Sequence, residues 1–350
     1  MALSLLLPIF LIFTLLLLLK WLNPGRKILR PPSPPKLPII GNLHQLGFLP
    51  HRSLKTLSEK YGPIMLLHLG SKPTLIVSSP DVAEMVLKTH DQNFATRPKL
   101  SLVGRLVYDF KSVAFAPYGE YWRTVRRICV HQLLNPNRVQ SFRSVREEEI
   151  ALMLERITES CLSSSPIDIG KIFANFNNNI IDMFTGGTDT TSTLLEWVIS
   201  ELVKNQNCMT KLKNEVRSFV NRIVDYITED YVDKFPYLKA VIKETLRMHP
   251  PGPLLALHES INAIEIMGYD IPAGTQVFIN AYAIGRDNIV WENADEFRPE
   301  RFLNNSIDVK GQHFELIPFG SGRRSCPGYG FAMITTEVVL ANLMLKIDFK

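Results

Sequence analysis

Hydrophobic and polar positions divide the chain into an apolar lead, a proline-rich connector and a long mixed body. From Leu3 to Leu19 the chain is apolar apart from Ser4, Pro8 and Thr14. About 18 helical residues span roughly 27 Å, close to the thin hydrocarbon core of the endoplasmic reticulum, so residues 1–22 are predicted to form a transmembrane signal anchor. A cleavable signal peptide is the competing reading, but no Lys or Arg precedes the run and no small-x-small site closes it. Pro31-Pro-Ser-Pro-Pro-Lys-Leu-Pro38 cannot be helical, because proline lacks an N–H and biases its predecessor toward extended backbone. Residues 23–40 are therefore read as a stiff hinge, with a partner-binding polyproline segment as the alternative.

Beyond the hinge, His51 to Tyr61 has the pattern of an amphipathic helix, and Ile64–Leu69 and Thr74–Ser78 read as strands joined by a hairpin signal. Helices are predicted from Ser79-Pro80-Asp81, over Tyr118–Leu134, and from Phe235 to His249, where Pro250-Pro251 ends the run. Ile264–Met267, Tyr269–Ile271 and Gln276–Asn280 read as short strands, and an apolar helical run extends from Phe331 to Leu345. Ile172, Phe176, Ile180 and Phe184 recur every four residues, which predicts one continuous helix from about Ile172 to about Asn205. A turn at Asn177–Asn179 is the competing outcome. The fold class is thus mostly α with small β-sheets.

At 350 residues and 46% hydrophobic, the chain can bury one large core or two at most, and residues 41–350 are read as a single domain. The net charge of +5 is modest, and no basic run carries interleaved aromatics, so nucleic acid is excluded as a partner. Lys20, Arg26, Lys27 and Arg30 follow the apolar lead and place the downstream chain in the cytosol, with Trp21 at the interface. The four cysteines, Cys129, Cys161, Cys208 and Cys326, are too scattered for a disulfide framework, and a reducing compartment fits them.

Chemistry concentrates around Cys326, in Phe319-Gly-Ser-Gly-Arg-Arg-Ser-Cys326-Pro-Gly328. A sulfur that binds iron must be held as thiolate, which calls for positive charge, backbone N–H donors and little water. Arg323 and Arg324 are expected to supply the charge, Gly322 and Gly328 the permissive backbone, and Phe319 a shield. An inert buried cysteine is the bland alternative. The spacing Phe-x-x-Gly-x-Arg-x-Cys-x-Gly resembles the haem-binding signature of the cytochrome P450 family, with every fixed position filled.

Four further stretches carry the same resemblance. Trp122 and Arg126, four apart on one helical face, resemble the pair that holds a haem propionate. Gly186-Gly187-Thr-Asp189-Thr190-Thr191 resembles the oxygen-activating helix. There the glycines let a flat cofactor approach, Thr190 bonds back toward Gly186, and Asp189 with Thr190 relays protons. Glu244 and Arg247, followed by Arg301, resemble the family's buried charge cluster, whose role is geometric more than stabilising. His258 stands where plant relatives often place an Arg near a propionate, and a solvent-facing histidine is the other reading. Arg123, Arg127 and Arg323 could form a basic docking surface for an acidic electron donor.

The resemblance implies a cytochrome P450 fold, haem b with Cys326 as axial thiolate, dioxygen and a small hydrophobic substrate. It further implies NADPH-cytochrome P450 reductase as partner, and a single-pass protein on the lipid bilayer of the endoplasmic reticulum with its catalytic domain cytosolic. Yet Phe173 to Asn179 runs straight into Asp182-Met-Phe, where relatives carry several helices roofing the substrate pocket, and the chain ends at Lys350, ahead of the closing strands. The domain is therefore read as internally deleted near residue 180, with apolar faces bearing Phe173, Phe176 and Phe184 expected to be exposed. A truncated, catalytically inactive haem-binding form is the alternative function. An isomerase or dehydratase using no oxygen is a third reading, against which Asp189 and Thr190 speak.

Overall fold

The computed structural model describes residues 14, 29–100, 104–105, 109–163, 167–180, 188–219 and 226–349. The predicted anchor, except Thr14, lies outside them. No helix among the described residues is long and apolar enough to cross a membrane.

The amino-terminal part is mixed. Helix α1 (Pro50–Tyr61) opens on a proline, whose missing donor costs nothing in a first turn. The hairpin β1 (Ile64–Leu69) and β2 (Lys72–Val77) follows, then α2 (Pro80–Glu84), which continues as a π-helical turn through Thr89. Later strands β3 (His258–Glu259) and β6 (Gln276–Ile279) complete a sheet ordered β1-β2-β6-β3, while β4 (Ile264–Ile266) and β5 (Tyr269–Ile271) form a separate hairpin. β2 pairs with β6 in parallel, which ties residues 74–77 to residues 276–279. Parallel neighbours require a long crossover, and here the helical body supplies it.

Residues 31–40 are not a free spacer. Leu66 N–H donates to Pro32 O at 2.9 Å, and the Asn42 amide donates to Pro34 O and Pro35 O, each at 3.2 Å. Prolines cannot donate, but their carbonyls accept, so the segment lies along β1 as an extended strap.

The helical body comprises α3 (Glu120–Ile128), α4 (Pro136–Ser141), α5 (Arg143–Leu162), α6 (Ile169–Ile180), α7 (Thr188–Lys204), α8 (Gln206–Phe219), α9 (Pro236–Met248), the short α10 (Ala281–Ile284) and α11 (Tyr329–Lys346). α11 is buried from Thr335 to Met344 without a break, as an all-round apolar helix must be. α5, α6, α7 and α11 touch in a closed ring, and α8 and α9 pack around α7 and α11.

The expected single helix from Ile172 to Asn205 is not formed. Asn177 Nδ2 donates to Ser192 Oγ at 2.8 Å, and Gly170 lies against Glu196, so α6 and α7 run antiparallel and the chain reverses between them. Residues 181–187, with Asp182, Phe184, Gly186 and Gly187, lie outside the described residues. A straight helix of about 34 residues would extend roughly 50 Å, whereas docking α6 against α7 buries Phe173 and Phe176. Phe173 is 0% and Phe176 2% exposed, within the main core. The expectation that these two rings are exposed is therefore corrected. Phe173→Ala should cost about 3–5 kcal/mol, read from the denaturant midpoint of the purified chain. A loss under about 1 kcal/mol would mean that α6 is not docked.

Candidate active site

The Cys326 loop is built by one 3-10 turn, Gly322–Arg324, and folded back by a Cys326 N–H bond to Phe319 O at 2.8 Å. Gly322 has φ of +67°, and a Cβ there would lie 2.0 Å from Leu87 O, so no other residue fits. Gly328 does not need this freedom: its φ is −93°. Cys326 lies just before α11, next to the backbone N–H groups of Gly328 and Tyr329 at the amino terminus of that helix. Burial pushes the Cys326 thiol up, while the Gly328 and Tyr329 N–H groups and the Arg126 guanidinium pull it down. Phe319 is half-buried and its ring stands 6.4 Å from that of Tyr329.

The expected source of charge is corrected. Arg323 Nε pairs with Asp91 Oδ2 at 2.8 Å, and Arg324 donates to Ala95 O at 2.6 Å and Ala116 O at 2.7 Å while its guanidinium stacks 4.0 Å from the Trp122 ring. Arg126 is the cation beside the sulfur; its hydrogen bond runs from Nη2 to Ser325 Oγ at 3.4 Å. Trp122 is buried and its indole N–H donates to Val113 O at 2.9 Å, so its service here is to the Arg324 guanidinium.

Arg97, which sequence reasoning missed, joins the group. It is 6% exposed and donates to the carbonyls of Ala114, Ala256 and Leu257. Its only local signal was an arginine inside the apolar stretch Phe94-Ala-Thr-Arg-Pro98. Burial lowers Arg97 to about 10, and burial together with Arg97 and Arg126 lowers Arg324 to about 9. His258 is 5% exposed, not solvent-facing, and donates from Nδ1 to Phe94 O at 2.7 Å; burial and Arg97 push it down to about 3, so it is neutral. Among the described residues none of Arg97, Arg126 and Arg324 has a carboxylate partner. Buried cations are costly without counter-charge, so this cluster is the complement of an anionic ligand such as a group bearing two carboxylates.

A cavity of about 770 Å³ opens beside the loop, with Arg126, Leu134, Val139, Asp233, Cys326 and Ile334 in its wall; this is an ordinary size for a ligand site. Asp189 and Thr190 are exposed in the first turn of α7 and do not line it. The expected contacts of Gly186 and Gly187 fall outside the described residues.

The charge cluster is formed as expected. Glu244, 0% exposed, receives Arg247 Nε and Nη2 at 2.7 Å each, Arg301 Nε at 3.0 Å and Arg298 N–H at 2.8 Å. Arg247 also donates to Gly285 O, Ala294 O and Glu296 O. Gly285, unnoticed in the sequence, is obligatory: a Cβ would stand 2.3 Å from Arg247 O.

The family model described as Cytochrome P450 matches residues 31–182 and 173–350. "Cytochrome P450 736A117" of Prunus mume is 40% identical, covering 96% of this chain and 88% of its own. The chain belongs to the cytochrome P450 family. "Tabersonine/lochnericine 19-hydroxylase" of Catharanthus roseus is 41% identical, over 91% of this chain and 86% of its own. A zebra fish cytochrome P450 solved with abiraterone superposes with a TM-score of 0.75 at 21% identity, covering 85% of this chain and 91% of that one, which speaks for the fold. Cytochromes P450 are haem-thiolate monooxygenases with iron protoporphyrin IX on a cysteine. The arginines without carboxylate partners among the described residues and the Cys326 thiol beside Arg126 fit that group. Arg247→Ala should destabilise the fold by about 3–5 kcal/mol, because it strands a buried carboxylate. Arg247→Lys should rescue little of this, since an ammonium cannot reproduce the bidentate fork; thermal unfolding of the three proteins measures both.

Proposed function

We propose that this chain is a plant-type, membrane-anchored haem-thiolate monooxygenase, with haem b held axially by Cys326. The observation that carries this is the conjunction of Cys326, with Arg126 and the Gly328 and Tyr329 N–H groups pulling its thiol down, and three arginines that have no acidic partner among the described residues. Bound haem supplies the redox chemistry by which one atom of dioxygen enters a C–H bond and the other leaves as water. The Gly328 and Tyr329 N–H groups stabilise charge on the sulfur, which tunes electron donation from it. Arg126, Arg324 and Arg97 bind the propionates, with neutral His258 keeping their pocket dry. Asp189 and the Thr190 hydroxyl hand on protons from solvent. The substrate is a small apolar compound, in keeping with the plant hydroxylase among the relatives. Arg123 and Arg127, exposed on α3, offer the basic surface for NADPH-cytochrome P450 reductase.

One observation favours a second reading, a haem-binding form without turnover. The acid–alcohol pair is exposed on α7, off the cavity wall, and the family model matches as two stretches that meet at residues 173–182. The alignment with the Prunus mume relative runs over 456 positions, more than the 350 residues of the chain, which supports an internal deletion near residue 180. A monooxygenase must exclude water and hold substrate in line, and a 1 Å misplacement can cost about a hundredfold.

Cys326→Ser should abolish the thiolate spectrum of the carbon monoxide complex; full survival refutes the ligand. The chain should also form far less product per electron pair than a version with the family's intervening helices restored, at comparable haem content. Equal yields would dismiss the non-turnover reading.

The basic residues after the apolar lead orient the domain to the cytosol of the endoplasmic reticulum membrane. Protease added to intact microsomes should digest residues beyond Pro31, and their protection would reverse the topology.

A further inference from the structure

The last residue after α9 and the middle of α7 are joined by contacts that no role so far uses. His249 Nε2 lies 2.9 Å from Glu201 Oε1, and the His249 ring stacks on Trp197 with centroids 3.8 Å apart and planes 4° from parallel. Glu201 is 6% exposed, and Asn205 Nδ2 donates to its second oxygen at 3.0 Å. The hydrogen bond from His249 is the main cause holding the Glu201 carboxyl below the usual range. A carboxylate only accepts, so Nε2 carries the proton.

Both ends of this contact are well placed to transmit position. His249 follows Arg247 by two residues, its N–H is bonded to Thr245 O at 2.7 Å, and Pro250 fixes its exit, so its backbone is tied to the end of α9 that carries the charge cluster. Trp197 and Glu201 are four apart on one face of α7. Thr190 lies seven residues upstream of Trp197, about 10 Å along the axis. A stacked plane resists rotation of the helix and a directed hydrogen bond resists sliding.

We propose that Trp197, Glu201 and His249 form a positioning latch that fixes the rotation and height of α7 against the charge cluster, and so decides where Asp189 and Thr190 stand. None of the three touches the reacting centre. The consequence for Asp189 and Thr190 rests on their assignment as the proton relay above.

Amide hydrogen exchange on the full purified chain tests the latch without needing haem. Glu201→Gln should accelerate exchange of the amides of residues 192–196 at least tenfold while those of α9 and α6 stay as in the parent. Trp197→Phe, which keeps a stacking ring, should lie close to the parent, and Trp197→Leu should behave like Glu201→Gln. Acceleration confined to residues 198–205, or spread equally over α9, overturns the latch as mere local or global loosening. With haem bound, the infrared stretch of carbon monoxide should shift in Glu201→Gln at unchanged haem content. If exchange changes but that stretch does not, the latch stands and the relay assignment fails.

Discussion

The Glu244 carboxylate is the interaction on which the rest depends. It has no exposure to water, and its oxygens receive the two-pronged Arg247 guanidinium, Arg301 and a backbone N–H. Such a group is costly to bury and gives little net stability. What it supplies is exclusivity, since few other arrangements satisfy every donor and acceptor at once. Arg247 spends its remaining donors on carbonyls of residues 285, 294 and 296, so α9 is bound to the loop that leads toward the Cys326 turn. Gly285 permits the approach by lacking a side chain. His249 extends the same anchor to α7.

The arginine group near Cys326 is the opposite case. Arg97 is buried, and Arg126 and Arg324 half-buried, against carbonyls, a hydroxyl and an indole face, with no carboxylate among the described residues to neutralise them. Burial holds all three guanidiniums below their usual range, and for Arg324 the neighbouring Arg97 and Arg126 add to it. A group of cations with no carboxylate partner among the described residues, one of them beside a thiol, is suited to an anionic ligand. Haem binding and folding of this region are thereby linked, because the ligand removes a penalty that the chain alone carries.

Strong patterns with local causes were legible in the sequence. The amphipathic pattern of α1, the proline at the first turn of α2, the β1–β2 hairpin signal and the unbroken apolar run of α11 all took the form they predicted. The Glu244–Arg247 spacing also formed a pair, because residues three apart on a helix share a face. The continuous helix through residue 180 did not form. Periodicity states which side of a helix is apolar, not whether the chain keeps going, and tertiary burial of Phe173 and Phe176 against α5 and α7 decided that.

What the sequence by itself determined was therefore the family, the type of several strongly patterned elements and the identity of the chemical groups, since these follow from residue type and spacing. Only the tertiary structure decided which partner each group meets. Arg324 and Arg323 sit beside Cys326 in sequence yet turn away to Trp122 and Asp91, while Arg126, two hundred residues earlier, faces the sulfur. His258 became a neutral core residue because the sheet closed over it beside Arg97. Electrostatic partners are set by distance in space and by the exclusion of water, and neither quantity is written in the linear order of residues.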